Sequence, residues 1–128
     1  MSSELSILAL YGLVIIVTIL IQVLAAAGQV GLGALARPRD DMPMLVGVAG
    51  RMDRCQMNSV VAMALFAPAV LALHAQGAFT ATTLLAAQVF LAARVAYVLV
   101  YAAGTAWVRT LVWVVGFLAT AYLYVMAI

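Results

Sequence analysis

Three stretches of this chain contain no Asp, Glu, Lys or Arg and are long enough to cross a lipid bilayer: Leu5 to Ala36, Cys55 to Ala93 and Thr110 to Ile128. A helix needs about 20 apolar residues to span the hydrocarbon core. The middle stretch is too long for one helix and breaks at His74, Ala75, Gln76 and Gly77. Four spans follow, placed at 5–35, 51–74, 78–103 and 106–127. A strand of a membrane barrel alternates apolar and polar with a period of two, whereas these runs are continuously apolar with small residues interspersed. Helices therefore solve the hydrogen-bonding problem of a backbone in lipid. With 69% hydrophobic and 8% charged residues and a mean hydropathy of +1.24, the composition lies well outside that of soluble domains. The expected fold is an all-α integral membrane four-helix bundle, one domain over 1–128. No basic residue precedes the first span, and its apolar run is too long for a typical signal sequence, so the first helix is expected to remain in the mature protein.

All six basic residues are arginines, and their distribution sets an orientation. Arg37, Arg39, Arg51 and Arg54 flank the first loop, Arg94 and Arg109 flank the third, and the second carries no permanent charge. Positive residues stay on the cytoplasmic side, which places loops one and three in the cytoplasm and both termini outside. A net charge of +2 is too small and localised to imply nucleic acid. The lone Cys55 excludes an internal disulfide and a zinc or iron-sulfur centre, and no metal site is expected.

Chemistry-bearing residues fall in register inside the apolar helices. Arg51, Arg54 and Asn58 share one face of the second span, and Arg94, Tyr97 and Tyr101 share one face of the third. An arginine at the bilayer centre costs about 3 kcal/mol, less near the headgroups, so such stripes face the bundle interior. They mark either an anionic ligand or a fixed polar network. All the arginines at this end can also serve topology and pair with Asp40, Asp41 and Asp53; that reading is preferred for Arg37 and Arg39, and the ligand site for Arg51, Arg54 and Arg94. Asp53 is expected in the first turn of the second helix, complementing its dipole, and Pro68 is expected to kink that helix. Gln22 and Gln29 lie seven residues apart among small residues, as interhelical hydrogen-bonding partners or as ligand contacts. Tyr97 and Tyr101 also admit plain interhelical packing. His74 reads as an interfacial or capping residue, and Cys55 as either an inert buried thiol or one activated by Arg51 a turn away. Thr105 is placed to cap the fourth helix, Trp107 to anchor it at the headgroups, and Arg109, Thr110 and Trp113 occupy its first turns.

The strings RMDRCQMN, RVAYVLVY and WVRTLVW, in this order on a chain of this length, resemble the MAPEG family, the membrane-associated proteins in eicosanoid and glutathione metabolism. The segment ARPRDDMP is similar to that of bacterial members, which implies a bacterial inner-membrane location. The resemblance spans the chain. It implies a homotrimer of four-helix subunits with glutathione held between neighbours near the cytoplasmic face. Arg51, Arg54, Asn58, Arg94, Tyr97 and Tyr101 match glutathione-contacting positions, and Arg109 matches the arginine thought to stabilise the thiolate. Two positions depart from the pattern: Val61 stands where many members have a glutamate that receives the glutathione amino group, and Trp113 replaces a tyrosine found in some members. The implied activity is a glutathione-dependent transferase or peroxidase acting on an apolar or lipid-like substrate. A catalytically inactive lipid-binding or scaffold protein is the alternative that Val61 favours. A small multidrug transporter has a similar size, but needs a mid-membrane carboxylate, and Glu4 is expected to precede the first span.

Elementary chemistry agrees with this co-substrate. Glutathione carries two carboxylates, which guanidinium forks bind bidentately while staying charged. A nearby guanidinium and the amides of a helix N-terminus raise the thiolate fraction of a thiol whose ordinary pKa is about 8.5. Arg109 is positioned for both effects. The apolar acceptor would arrive from the lipid.

Overall fold

The computed structural model describes residues 3–36 and 44–128. Its helices are α1 (Glu4–Val30), a five-residue α2 (Leu32–Ala36), α3 (Gly47–Gln76), α4 (Ala81–Ala103) and α5 (Ala106–Ala127). The four long ones are each apolar and long enough to cross a membrane. The pairings expected of Arg37, Arg39, Asp40 and Asp41 lie outside the described residues.

Local sequence explains where the helices stop. The first span is shorter than expected, because Gly31 takes φ 86° and breaks the helix before α2. The second begins earlier, at Gly47, whose φ of 61° is open to glycine at little steric cost. Asp53 is consequently in the second turn of α3 rather than the first, and it accepts a hydrogen bond from Gln56 at 3.1 Å. Pro68 lies inside α3, which stays helical through it. Gly77 closes α3 in the left-handed conformation, with its N–H on the His74 carbonyl and the Ala78 N–H on that of Leu73. Gly104 ends α4 in the same way. The third span begins at Ala81, fixed by a reciprocal capping box between Thr80 and Thr83. Thr105 is the N-cap residue of α5, but its side chain makes no capping hydrogen bond.

The long helices pack as a ring in the order α1, α3, α5, α4, with α3 and α4 also touching across the middle. An aromatic knot fills the centre: Phe66 and Phe90 stack with centroids 3.9 Å apart, and Tyr11 meets Phe90 edge-on at 4.9 Å. The outer faces remain apolar and exposed, among them Ile16, Leu20 and Leu24 on α1 and Leu111, Phe117 and Leu118 on α5. Apolar faces of this kind suit a surround of lipid. Glu4 is the first residue of α1 rather than a residue ahead of it, and its buried carboxylate accepts from the Thr83 hydroxyl at 2.6 Å.

Candidate functional site

Antiparallel packing brings the C-terminal ends of α1 and α4 and the N-terminal ends of α3 and α5 to one end of the bundle. The two arginine stripes meet there. Arg54 donates from Nε to the Tyr101 hydroxyl at 3.2 Å. Arg109 lies over the Tyr101 ring, 4.6 Å from its centroid, and Arg94 lies over the Tyr97 ring at 4.2 Å. Tyr97 and Tyr101 touch edge-to-face at 5.5 Å. Arg51 donates from Nε to the Ala102 carbonyl at 3.1 Å, satisfying one of the orphan carbonyls at the end of α4. Arg54, Arg94, Tyr97, Tyr101 and Arg109 thus form one connected cluster with the phenol rings as its spine, and Arg51 borders it at the end of α4.

Arg94 is the deepest member. It sits nine residues before the end of α4, roughly 13 Å along the axis at about 1.5 Å per residue, and is only 2% exposed. Its Nη2 donates to the Ser59 hydroxyl at 3.3 Å, and the Ser59 carbonyl accepts from Tyr11 at 2.8 Å. The stem passes beside Gly116, where an added Cβ would lie in ordinary contact with Arg94 Cδ at 3.5 Å. Among the described residues no carboxylate pairs with Arg94, and its Nε and the Asn58 Oδ1 are buried without a hydrogen-bond partner.

Asn58 and Trp113 together line two adjoining spaces. One, of about 230 Å³, is completed by Tyr97, Arg109 and Thr110. The other, of about 150 Å³, reaches deeper between α3 and α5, where Arg94 and Phe90 meet the apolar Val61, Leu65 and Phe117. Val61 and Phe117 are exposed on the outer surface, so this space runs from the polar cluster towards the lipid-facing side.

The remaining candidates separate from this cluster. Gln29 sits beyond it and pairs both ends of its amide with the Val46 backbone, at 3.0 and 3.1 Å, tying α1 to the start of α3. Interhelical bonding is therefore the use the fold makes of Gln29. Cys55 is fully buried against Tyr97 and Tyr101. His74 is exposed at the opposite end, its ring 5.9 Å from that of Phe79. Trp107 is 84% exposed. Among the described residues no group of His, Cys, Asp and Glu is arranged to hold a metal ion. Sequence reasoning did not identify Tyr11, Ser59 or Gly116 as parts of the cluster. Ser59 directly follows Asn58, but Tyr11 and Gly116 stand in apolar helices with no charged neighbour to single them out.

Fold and site together define an all-α integral membrane protein with an arginine–tyrosine cluster at one end of a four-helix bundle. Over residues 5–128 the chain matches the pattern of the MAPEG family, and it belongs to that family. No curated protein and no solved structure gives a match.

Proposed function

We propose that the protein is a membrane-bound glutathione-dependent transferase or peroxidase whose second substrate is apolar or lipid-like. The observation that carries this reading is the convergence of Arg54, Arg94 and Arg109 on one pair of phenol rings, with Arg51 beside them at the end of α4, where no ion pair with a carboxylate is found among the described residues. Such an array is expensive in a membrane unless an anion completes it.

In this reading the glutathione carboxylates lie against Arg51 and Arg54, and Arg94 extends the positive field from below. Asn58, Tyr97 and Tyr101 complete the contacts. Arg109, four residues into α5, and the amides of that helix end favour the thiolate over the thiol. The acceptor approaches through the space bounded by Val61, Leu65 and Phe117. In conjugation with an aryl halide, the thiol gives up its proton to solvent, the thiolate sulfur bonds to the electrophilic carbon and the halide leaves. In peroxide reduction, two thiols and one hydroperoxide give a disulfide, an alcohol and water. Three copies assemble in the bacterial inner membrane with glutathione between neighbours, loops one and three in the cytoplasm and both termini outside.

Turnover of glutathione with an aryl halide and with a fatty-acid hydroperoxide tests the proposal. Replacing Arg109 by Ala is expected to lower kcat about 100-fold, the scale of one lost electrostatic donor, with a smaller change in glutathione affinity. Unchanged turnover in that variant would remove the thiolate role. A second reading, a non-catalytic lipid-binding or scaffold protein, is favoured by the apolar Val61 in the wall beside Asn58 and Arg94; binding without turnover would select it. A proton-coupled transporter has little support, since Glu4 lies at a helix end against Thr83.

A further inference from the structure

We infer that the inner space between α3 and α5 is a recognition subsite for an O–H group carried by an apolar molecule, an alcohol or a hydroperoxide, which accepts from Arg94 Nε and donates to Asn58 Oδ1. The inference deepens the reading above and rests on it only in taking this occupant for the second substrate. The subsite itself is argued without glutathione.

Two atoms carry it. Arg94 Nε and Asn58 Oδ1 are buried with no hydrogen-bond partner, the one a donor and the other an acceptor. Leaving either unsatisfied away from water is costly, and buried polar groups in folded proteins are nearly always paired. Arg94 is shut in by the helices of its own subunit, so a partner reaches its Nε by entering the space that Arg94 and Asn58 line together. The two side chains are held near each other. Asn58 directly precedes Ser59, whose hydroxyl accepts from Nη2 of the same guanidinium at 3.3 Å. Thr120, on the same wall, already directs its hydroxyl to the Gly116 carbonyl at 2.9 Å.

The demand is for a group that accepts and donates at once. A carboxylate only accepts, as does an ether, whereas a hydroxyl does both. The rest of the space sets what that group is attached to. Phe90, Val61, Leu65 and Phe117 line it, and its volume is about 150 Å³; an apolar cavity of that volume takes a benzene ring. It opens where Val61 and Phe117 are exposed, on the lipid-facing side. A bridging water would meet the same two atoms, but these walls and this opening favour an O–H that arrives on a ring or chain.

The test uses the full chain in detergent without glutathione. Trp113 lines the space, and Trp107→Phe, at an exposed position, leaves it as the sole tryptophan. Contact with bromine quenches its fluorescence. The probe is para-bromobenzyl alcohol, compared with its methyl ether and with para-bromobenzoate, neither of which can donate. Saturable quenching by the alcohol is expected at a concentration about tenfold lower than by either, and Asn58→Leu should remove that preference. Val61→Phe, at an exposed position on the wall, should abolish the quenching by filling the space. Cumyl alcohol and cumene hydroperoxide, added as competitors, separate the two sources of the O–H: stronger displacement by one names the class of occupant, and either order upholds the subsite. Equal quenching by alcohol and ether, tighter binding of the benzoate, displacement by neither competitor, or quenching that survives Val61→Phe overturns the inference. The glutathione reading would still stand, since binding of glutathione itself decides it. If Asn58→Leu fails to fold, the comparison of alcohol with ether on the unsubstituted site decides.

Discussion

At the residue scale, the two tyrosines of α4 hold three of the four arginines in the cluster. Tyr101 does so in two ways, accepting from Arg54 through its hydroxyl and meeting Arg109 with its ring face. Tyr101→Phe keeps the second contact and removes the first. A hydrogen bond from a charged donor contributes about 1.5 kcal/mol, so glutathione affinity is expected to fall roughly tenfold with kcat little changed. Tyr101→Leu, which removes the ring as well, should lower kcat too, because Arg109 loses its support. Equal effects of the two substitutions in a titration and a turnover assay would show that the hydroxyl alone matters. The spacing of Arg51, Arg54 and Asn58 and of Arg94, Tyr97 and Tyr101 made these faces legible in the sequence, since residues three or four apart in a helix share a side. Distances across helices were not legible. That Arg94 reaches Ser59 beside Gly116, in reach only because α3, α4 and α5 pack in one particular order, is a property of the assembled bundle.

At the element scale, the spans themselves were readable, because about 20 apolar residues in lipid admit little other than a helix. The ends were harder. Residues around Gly31 and Gly47 are apolar enough to continue a helix, and at each of these helix ends the glycine takes a positive φ. The capping of α4 by Thr80 and Thr83 had a sequence signal in the run of threonines after Phe79, whereas the engagement of Glu4 with Thr83, across 79 residues, had none. Close approach at the start of α3 makes a sharp prediction. A Cβ on Gly50 would lie 2.6 Å from the Leu45 carbonyl oxygen, while one on Gly116 meets nothing nearer than 3.5 Å. Gly50→Ala should therefore destabilise the protein by about 2 kcal/mol, as overpacking does, visible as a lower midpoint of thermal unfolding in detergent. Gly116→Ala should leave that midpoint nearly unchanged. A reversal of this order would contradict the packing of α3 described above.

At the scale of the whole molecule, the bundle is polarised. One end gathers arginine, tyrosine and asparagine, and the other carries Glu4, the threonines of the α4 cap and His74. The proposed orientation puts the positively charged end in the cytoplasm, the side from which a soluble thiol would be supplied. Single cysteines test this orientation. A membrane-impermeant maleimide added to intact cells should label Ala75→Cys, an exposed site near the second loop, and should label Thr105→Cys, exposed in the third, only after permeabilisation. The native Cys55, fully buried, should stay unlabelled in both. The opposite pattern would put the cluster on the wrong side for a cytoplasmic co-substrate. The central claim, that the arginine–tyrosine cluster is a glutathione site, is tested most directly by calorimetric titration of the detergent-solubilised protein with glutathione, alongside Arg54→Ala. Saturable binding that the substitution weakens by about tenfold or more is the predicted result. No saturable binding up to about millimolar glutathione, or equal affinity in the variant, would contradict it.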